Sequence, residues 1–120
     1  MAKVLGVGGV FFKSKNPSQL YSWYEKYLGI EKKEGAGISF QNASNYVVLS
    51  IFDSNTKYFS PPSNDYMINL VVDDLEGALK QVAEGGAEIV GEIESYFNGR
   101  FGWFIDPDGN KIELWEPNGQ

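Results

Sequence analysis

The spacing of apolar and polar positions changes period several times along the chain, and each change marks an element. Val4 to Lys13 is apolar and rich in β-branched and aromatic residues, which predicts a first strand with Gly8-Gly9 inside it. Paired glycines weaken a strand interior and mark a bulge or a close backbone approach. Asn16-Pro17 opens a helix, with Asn16 as N-cap and Pro17 at the first helical position. Leu20, Trp23, Tyr24, Tyr27 and Leu28 follow at helical spacing, and Gly29 ends the run as a left-handed cap. Ile38 to Phe40 and Tyr46 to Phe52 read as strands joined by a turn over Gln41 to Asn45.

Residues 54–66 hold Ser, Asn, Pro61-Pro62 and two aromatics, Tyr58 and Phe59, and read as a linker. Beyond it the order of elements repeats. Met67 to Val72 is a strand, Asp73-Asp74 caps a helix from Leu75 to Glu84 that stops at Gly85-Gly86, and Glu88 to Ile93 is a further strand. A hairpin follows, turned by Asp106-Pro-Asp-Gly109. Pro107 presets φ for that turn, and Gly109 takes the conformation a side chain resists. The result is a repeat of roughly sixty residues, too long for a solenoid unit and suited to a duplicated supersecondary module. The chain then divides into module one at 1–53, a linker at 54–66 and module two at 67–120, all in one domain.

Alternation assigns the strand faces. Val10 and Phe12, then Ile68, Leu70 and Val72, then Ile112 and Leu114 form one apolar set that needs helices over it. Gly9, Phe11 and Lys13, then Met67, Asn69 and Val71, then Lys111, Glu113 and Trp115 form the other. A face that carries a carboxylate and an indole suits a cleft rather than a helix-packed core.

Composition narrows the chemistry. With 120 residues, 42% of them hydrophobic, the chain supports one modest core. It has no cysteine, so disulfides and thiolate metal sites are excluded. It has no histidine either, which removes the commonest general base and the commonest transition-metal ligand together. A net charge of −6 disfavours nucleic acid and anionic membranes, and favours neutral or cationic ligands. No signal peptide and no membrane-length apolar run are visible, so the expected location is cytoplasmic.

The repeat, the Trp23-Tyr24 to Leu28-Gly29 helix end and above all Phe101-Gly-Trp-Phe-Ile-Asp-Pro-Asp-Gly-Asn-Lys-Ile-Glu-Leu-Trp-Glu116 resemble the vicinal oxygen chelate superfamily. This group contains glyoxalase I, bleomycin-resistance proteins and extradiol dioxygenases. The resemblance spans essentially the whole chain. It implies an α+β fold of two βαβββ modules that form one eight-stranded, cup-shaped mixed sheet with helices outside. It also implies a ligand in the cup and a homodimer. Metal-using members carry ligands at four strand positions, which fall here on Gly9, about Leu49, Met67 and Glu113. Only Glu113 can bind a metal, and one carboxylate does not hold a catalytic divalent ion. No metal and no other cofactor are therefore expected.

The expected cup lining is Phe11, Phe52, Met67, Asn69, Trp103 and Trp115 around Glu113, with Arg100 either receiving an anionic substrate group or capping the rim, and Tyr58 over the opening as part of a lid. Aromatic walls with a few polar groups suit a small molecule. The leading expectation is a binding protein of the glyoxalase and bleomycin-resistance type that takes a small neutral or cationic organic ligand without a metal. The alternative is a metal-independent lyase or isomerase with Glu113 as general base. Each lining residue also has a plain reading, since Phe11, Met67 and Trp115 can fill a collapsed cup and Glu113 can be a surface ion-pair partner.

Overall fold

The structure, a computed structural model, describes residues 1–30, 32, 38–41 and 46–118. In chain order the elements are β1 (Val4–Ser14), α1 (Pro17–Leu28), β2 (Ile38–Gln41), β3 (Tyr46–Asp53), β4 (Tyr66–Val72), α2 (Leu75–Glu84), β5 (Glu88–Tyr96), β6 (Gly99–Ile105) and β7 (Lys111–Glu116). The strands form one mixed sheet in the order β2-β3-β1-β4-β7-β6-β5. β1 pairs with β3 and β4 with β7 in parallel, while the other neighbours are antiparallel. Seven strands are thus present among the described residues, against the eight that the resemblance implies. The turn expected over Gln41–Asn45 falls largely on residues 42–45, which lie outside the described residues.

Local chemistry sets the helix ends. The Asn16 side chain accepts from the Gln19 N–H at the start of α1, and Gly29 closes it at φ 67°. Asp74 caps α2 by accepting from the Gly77 N–H. Both helices pack on one face of the sheet. α2 buries Leu75 and Ala78 against Val72, Phe104 and Leu114, with Leu70, Ile112 and Leu79 around them. α1 buries Tyr21 against Ile51, Phe12 and Leu49, and the Tyr21 hydroxyl accepts from the Ile51 N–H at 2.8 Å. The apolar set expected to face the helices on β1, β4 and β7 supplies Phe12, Leu70, Val72, Ile112 and Leu114 to these clusters.

Three sequence expectations shift. On α1 the helical stripe rotates toward Leu20, Tyr21 and Tyr24, leaving Trp23, Tyr27 and Leu28 exposed, because the buried line follows the Tyr21–Ile51 bond. β5 runs on to Tyr96, past the expected end at Ile93. Glu94, Ser95 and Tyr96 pair with Phe101, Arg100 and Gly99 beyond a register break, although their side chains show no apolar alternation. Leu49 faces the helices rather than the cup, since it packs in the Tyr21–Ile51 cluster. No helix of the described residues is long and apolar enough to cross a membrane.

Leu114 is 2% exposed at the centre of the α2 cluster. Leu114→Ala is expected to lower unfolding stability by about 2–5 kcal/mol, measured by chemical denaturation.

Candidate functional site

The face turned away from the helices holds the remaining buried groups. Strand register lines up one row across it. Val48 lies opposite Gly9, Gly9 opposite Asn69, Asn69 opposite Glu113 and Glu113 opposite Trp103. Beside this row Phe11 pairs with Met67, and on the other side Trp115 pairs with Phe101, their rings stacked 5.9 Å apart. Phe11, Met67, Trp103, Trp115, Asn69 and Glu113 are all buried.

Glu113 is the centre of this face, 1% exposed. Its Oε1 accepts from Asn69 Nδ2 at 2.6 Å, and its Oε2 accepts from Trp103 Nε1 at 2.9 Å and from the Tyr58 hydroxyl. Hydrogen bonds to a charged acceptor contribute about 1.5–3 kcal/mol each, whereas burying a carboxylate costs several kcal/mol. Burial prevails, and the Glu113 carboxyl sits above its ordinary pKa despite the three donors and the nearby Lys111 ammonium. Burial also raises the Tyr58 phenol, which the Glu113 carboxylate pushes further in the same direction. The phenol therefore stays protonated and acts as a donor.

Tyr58 and Phe59 reach this face from the segment between β3 and β4. Phe59 is 1% exposed and packs on Phe52 at 5.1 Å, within a cluster that includes Phe11, Met67 and Trp103. The Tyr58 ring lies nearly parallel to Phe52, with centroids 5.4 Å apart, and edge-on to Trp103 at 6.0 Å. Lys111 Nζ sits over the Tyr58 and Trp103 rings at 5.3 and 5.8 Å and donates to the Tyr58 carbonyl. Lys13 Nζ lies 5.6 Å from the centre of the Phe59 ring. Tyr58 and Phe59, expected as a lid, thus pack directly on the inner aromatic cluster.

The paired glycines allow this packing. Opposite β4 the β1 register slips between Val7 and Gly9, so the chain bulges at Gly8. A Cβ on Gly8 would overlap Asn69 Oδ1 and crowd Val71 and Trp115, all on the inner face. One on Gly9 would come within 2.8 Å of the Val48 carbonyl. Asn69 Oδ1 itself is buried without a hydrogen-bond partner, held against the backbone at Gly8.

Arg100 is corrected. It belongs to the helix-side phase of β6, alongside Gly102 and Phe104, and its guanidinium binds Glu76 at 2.8 Å and Glu116 at 3.0 Å. Glu116 in turn accepts from the Leu75 N–H, so this network ties the start of α2 to β7 instead of facing a ligand. Asp106 acts only in the hairpin turn: its carboxylate accepts from the N–H groups of Asp108 and Asn110, which lower its pKa. A separate open groove of about 590 Å³ lies between α1 and β3, lined by Pro17, Ser18, Tyr21, Glu25, Phe52 and Asp53 among others. It is outside the row centred on Glu113.

The surroundings of Glu113 do not fit a divalent cation. Its oxygens are met by an amide N–H, an indole N–H and a phenol, which are donors rather than ligands. The register opposite it supplies Gly9 and Asn69, and no group of three His, Cys, Asp or Glu side chains is placed to hold a metal among the described residues.

Residues 13–114 match the family model of the Glyoxalase/Bleomycin resistance protein/Dioxygenase superfamily. The chain belongs to this superfamily. Similar solved structures include a variant of Streptomyces coelicolor methylmalonyl-CoA epimerase in complex with 2-nitronate-propionyl-CoA. It has a TM-score of 0.75 at 11% identity and covers 98% of this chain and 100% of its own. Methylmalonyl-CoA epimerase from Mycobacterium tuberculosis gives a TM-score of 0.66 at 19% identity, covering 95% of this chain and 89% of its own. A structure described as NAD-dependent benzaldehyde dehydrogenase from Legionella pneumophila gives 0.62 at 16% identity, covering 92% and 98%. At these identities the likeness is one of fold. Comparison with curated protein sequences finds no match to the chain.

Gly8→Ala is expected to destabilise the protein by about 1–3 kcal/mol, because the new methyl overpacks against Asn69. The Gly8→Ala, Asn69→Ala double variant should lose less than the sum of the two single variants, so denaturation of all three reads the contact directly. Glu113 gives a pH signature. Its raised folded-state pKa favours the native state below the ordinary carboxylate value, and that contribution is lost as pH rises through the raised value. Thermal midpoints of wild type relative to Glu113→Gln should therefore fall as pH rises from about 4.5 toward neutrality.

Proposed function

We propose that this superfamily member binds a small neutral or cationic organic molecule on the inner face of its sheet, with Glu113 as the polar anchor and no metal. The observation that carries this reading is one fully buried carboxylate set among Phe52, Tyr58, Trp103 and Phe11. A carboxylate in such a place contributes little to folding. Its cost is justified where a ligand exchanges with one of its donors. In this reading Asn69 fixes the orientation of Glu113, and Phe11, Phe52, Met67, Trp103 and Trp115 form the walls. The chain works as two βαβββ modules, 1–53 and 67–120, joined by the linker 54–66. It pairs as a homodimer in the cytoplasm and engages neither nucleic acid nor membrane.

A second reading is a metal-independent lyase or isomerase with Glu113 as general base. It is favoured by the Tyr58 phenol, which places a second proton-bearing group directly on Glu113. Acid–base chemistry needs two groups with separated proton affinities, and a raised carboxyl beside a protonated phenol supplies such a pair.

Elemental analysis of the purified protein is expected to give substoichiometric Zn, Ni, Fe and Mn. In a thermal-shift panel of neutral and cationic aromatic compounds, binders should raise the wild-type midpoint with concentration. Glu113→Gln should weaken them by about tenfold or more while the protein stays folded. Unchanged affinity in that variant would remove Glu113 as the anchor. Turnover of a panel compound, lost in Glu113→Gln, would favour the second reading.

A further inference from the structure

The inner face already has an occupant from its own chain. The Tyr58 ring fills a slot walled by Phe52, nearly parallel to it, and by Trp103, edge-on, and its hydroxyl reaches Glu113 at the slot's end. We infer that Tyr58 stands where the ligand goes, and that the ligand is a neutral hydroxyarene, a planar phenol-class molecule that displaces Tyr58 and gives its own hydroxyl hydrogen bond to Glu113. This deepens the binding reading above and rests on it.

Each attribute of the ligand follows from a group on the slot wall. Flatness follows from the near-parallel Phe52 ring and the perpendicular Trp103 ring, which leave stacking and edge contacts for one ring. A donor hydroxyl follows from Glu113, which accepts from Asn69 and Trp103 with or without Tyr58 and keeps one acceptor position for a third donor. Neutrality follows from two charges of opposite sign. An anion would meet the buried Glu113 carboxylate. A cation would meet the Lys111 ammonium, which already lies over the Tyr58 and Trp103 rings.

Tyr58, rather than Phe59, is the exchangeable group. Tyr58 is 37% exposed, whereas Phe59 is 1% exposed under Lys13 and beside Phe11, Met67 and Trp103. The segment is tied down at both ends, by Thr56 N–H to the Asp53 carbonyl and by Lys13 N–H to the Asp65 carbonyl. Asn64 and Tyr66 add bonds to Asn110. The inward bonds of Tyr58 are its hydroxyl to Glu113 and its carbonyl from Lys111. Rotating one ring outward gives up the first and leaves the ends of the segment in place.

Competition makes this testable. If Tyr58 occupies the site, the affinity of an external phenol is reduced by the fraction of molecules in which the slot is free. Tyr58→Phe keeps the ring and its packing but loses the bond to Glu113, so it should raise that fraction. p-Cresol, toluene and p-methylbenzylammonium are suitable probes, with affinity measured by calorimetry and location by NMR shifts at the Trp103 indole. Wild type is expected to bind p-cresol at least tenfold more tightly than toluene or p-methylbenzylammonium. Tyr58→Phe should bind p-cresol about tenfold more tightly than wild type does, in line with the loss of one hydrogen bond to a charged group. Equal affinity for p-cresol and toluene would overturn the inference, as would a Tyr58→Phe variant that binds p-cresol no better than wild type. Glu113-dependent binding of p-methylbenzylammonium without p-cresol would overturn the inference and leave the binding reading standing. Absence of binding by all three probes in both proteins would overturn both.

Discussion

A carboxylate buried in a sheet face must be given donors, and much of the inner face is organised by that requirement. Glu113 alone cannot leave water without a large cost, so each neighbouring element contributes an N–H or O–H. β4 brings Asn69 and β6 brings Trp103, in both cases as the residue directly paired with Glu113 in the ladder. The third donor arrives from outside the sheet, on the segment between β3 and β4. Because Asn69 and Trp103 are held by strand register, Glu113 is aimed by the fold itself. Tyr58 is placed not by the ladder but by its loop and by its packing on Phe52 and Trp103.

The two faces of the sheet divide the work. The helix side carries the apolar clusters of α1 and α2 and the Arg100–Glu76–Glu116 network that docks the start of α2. The inner side carries nearly all the aromatic stacking and the buried polar pair. Residues of opposite phase along the same strands thus build two cores of different character, one against the helices and one around Glu113.

Much of this was legible in the chain. Strict alternation on β1, β4 and β7 assigned Phe11, Met67, Asn69, Glu113 and Trp115 to one face, and the structure places them together. Asn16, Pro17 and Gly29 announced α1, and Asp106 to Gly109 announced the hairpin. Where both neighbours along a strand are apolar, alternation carries no phase. β3 is apolar on both faces, so nothing in Tyr46 to Phe52 told Leu49 from Val48. Arg100 sits between glycine and phenylalanine and has no alternating neighbour to fix its side. The depth of Tyr58 and Phe59 was not legible either. Whether a loop aromatic lies over a cup or inside it depends on space left by residues far away in sequence. The pairing of Asn69 with Glu113 depends likewise on the β4–β7 register, which no local signal sets.

The bulge at Gly8 limits what the neighbouring β1 positions can carry. In this superfamily the β1 position next to it is one where metal-using members carry a ligand, and here Gly9 stands there. The space a side chain would need is no longer free. Asn69 Oδ1 fills the room over Gly8, and the Val48 carbonyl crowds any Cβ on Gly9. A side chain at Gly9 would require the Val48 backbone and the Phe11 ring to yield, whereas one at Gly8 would require Asn69 to move off Glu113. The two glycines thus leave the centre of β1 open to the side chains of its neighbours and closed to one of its own.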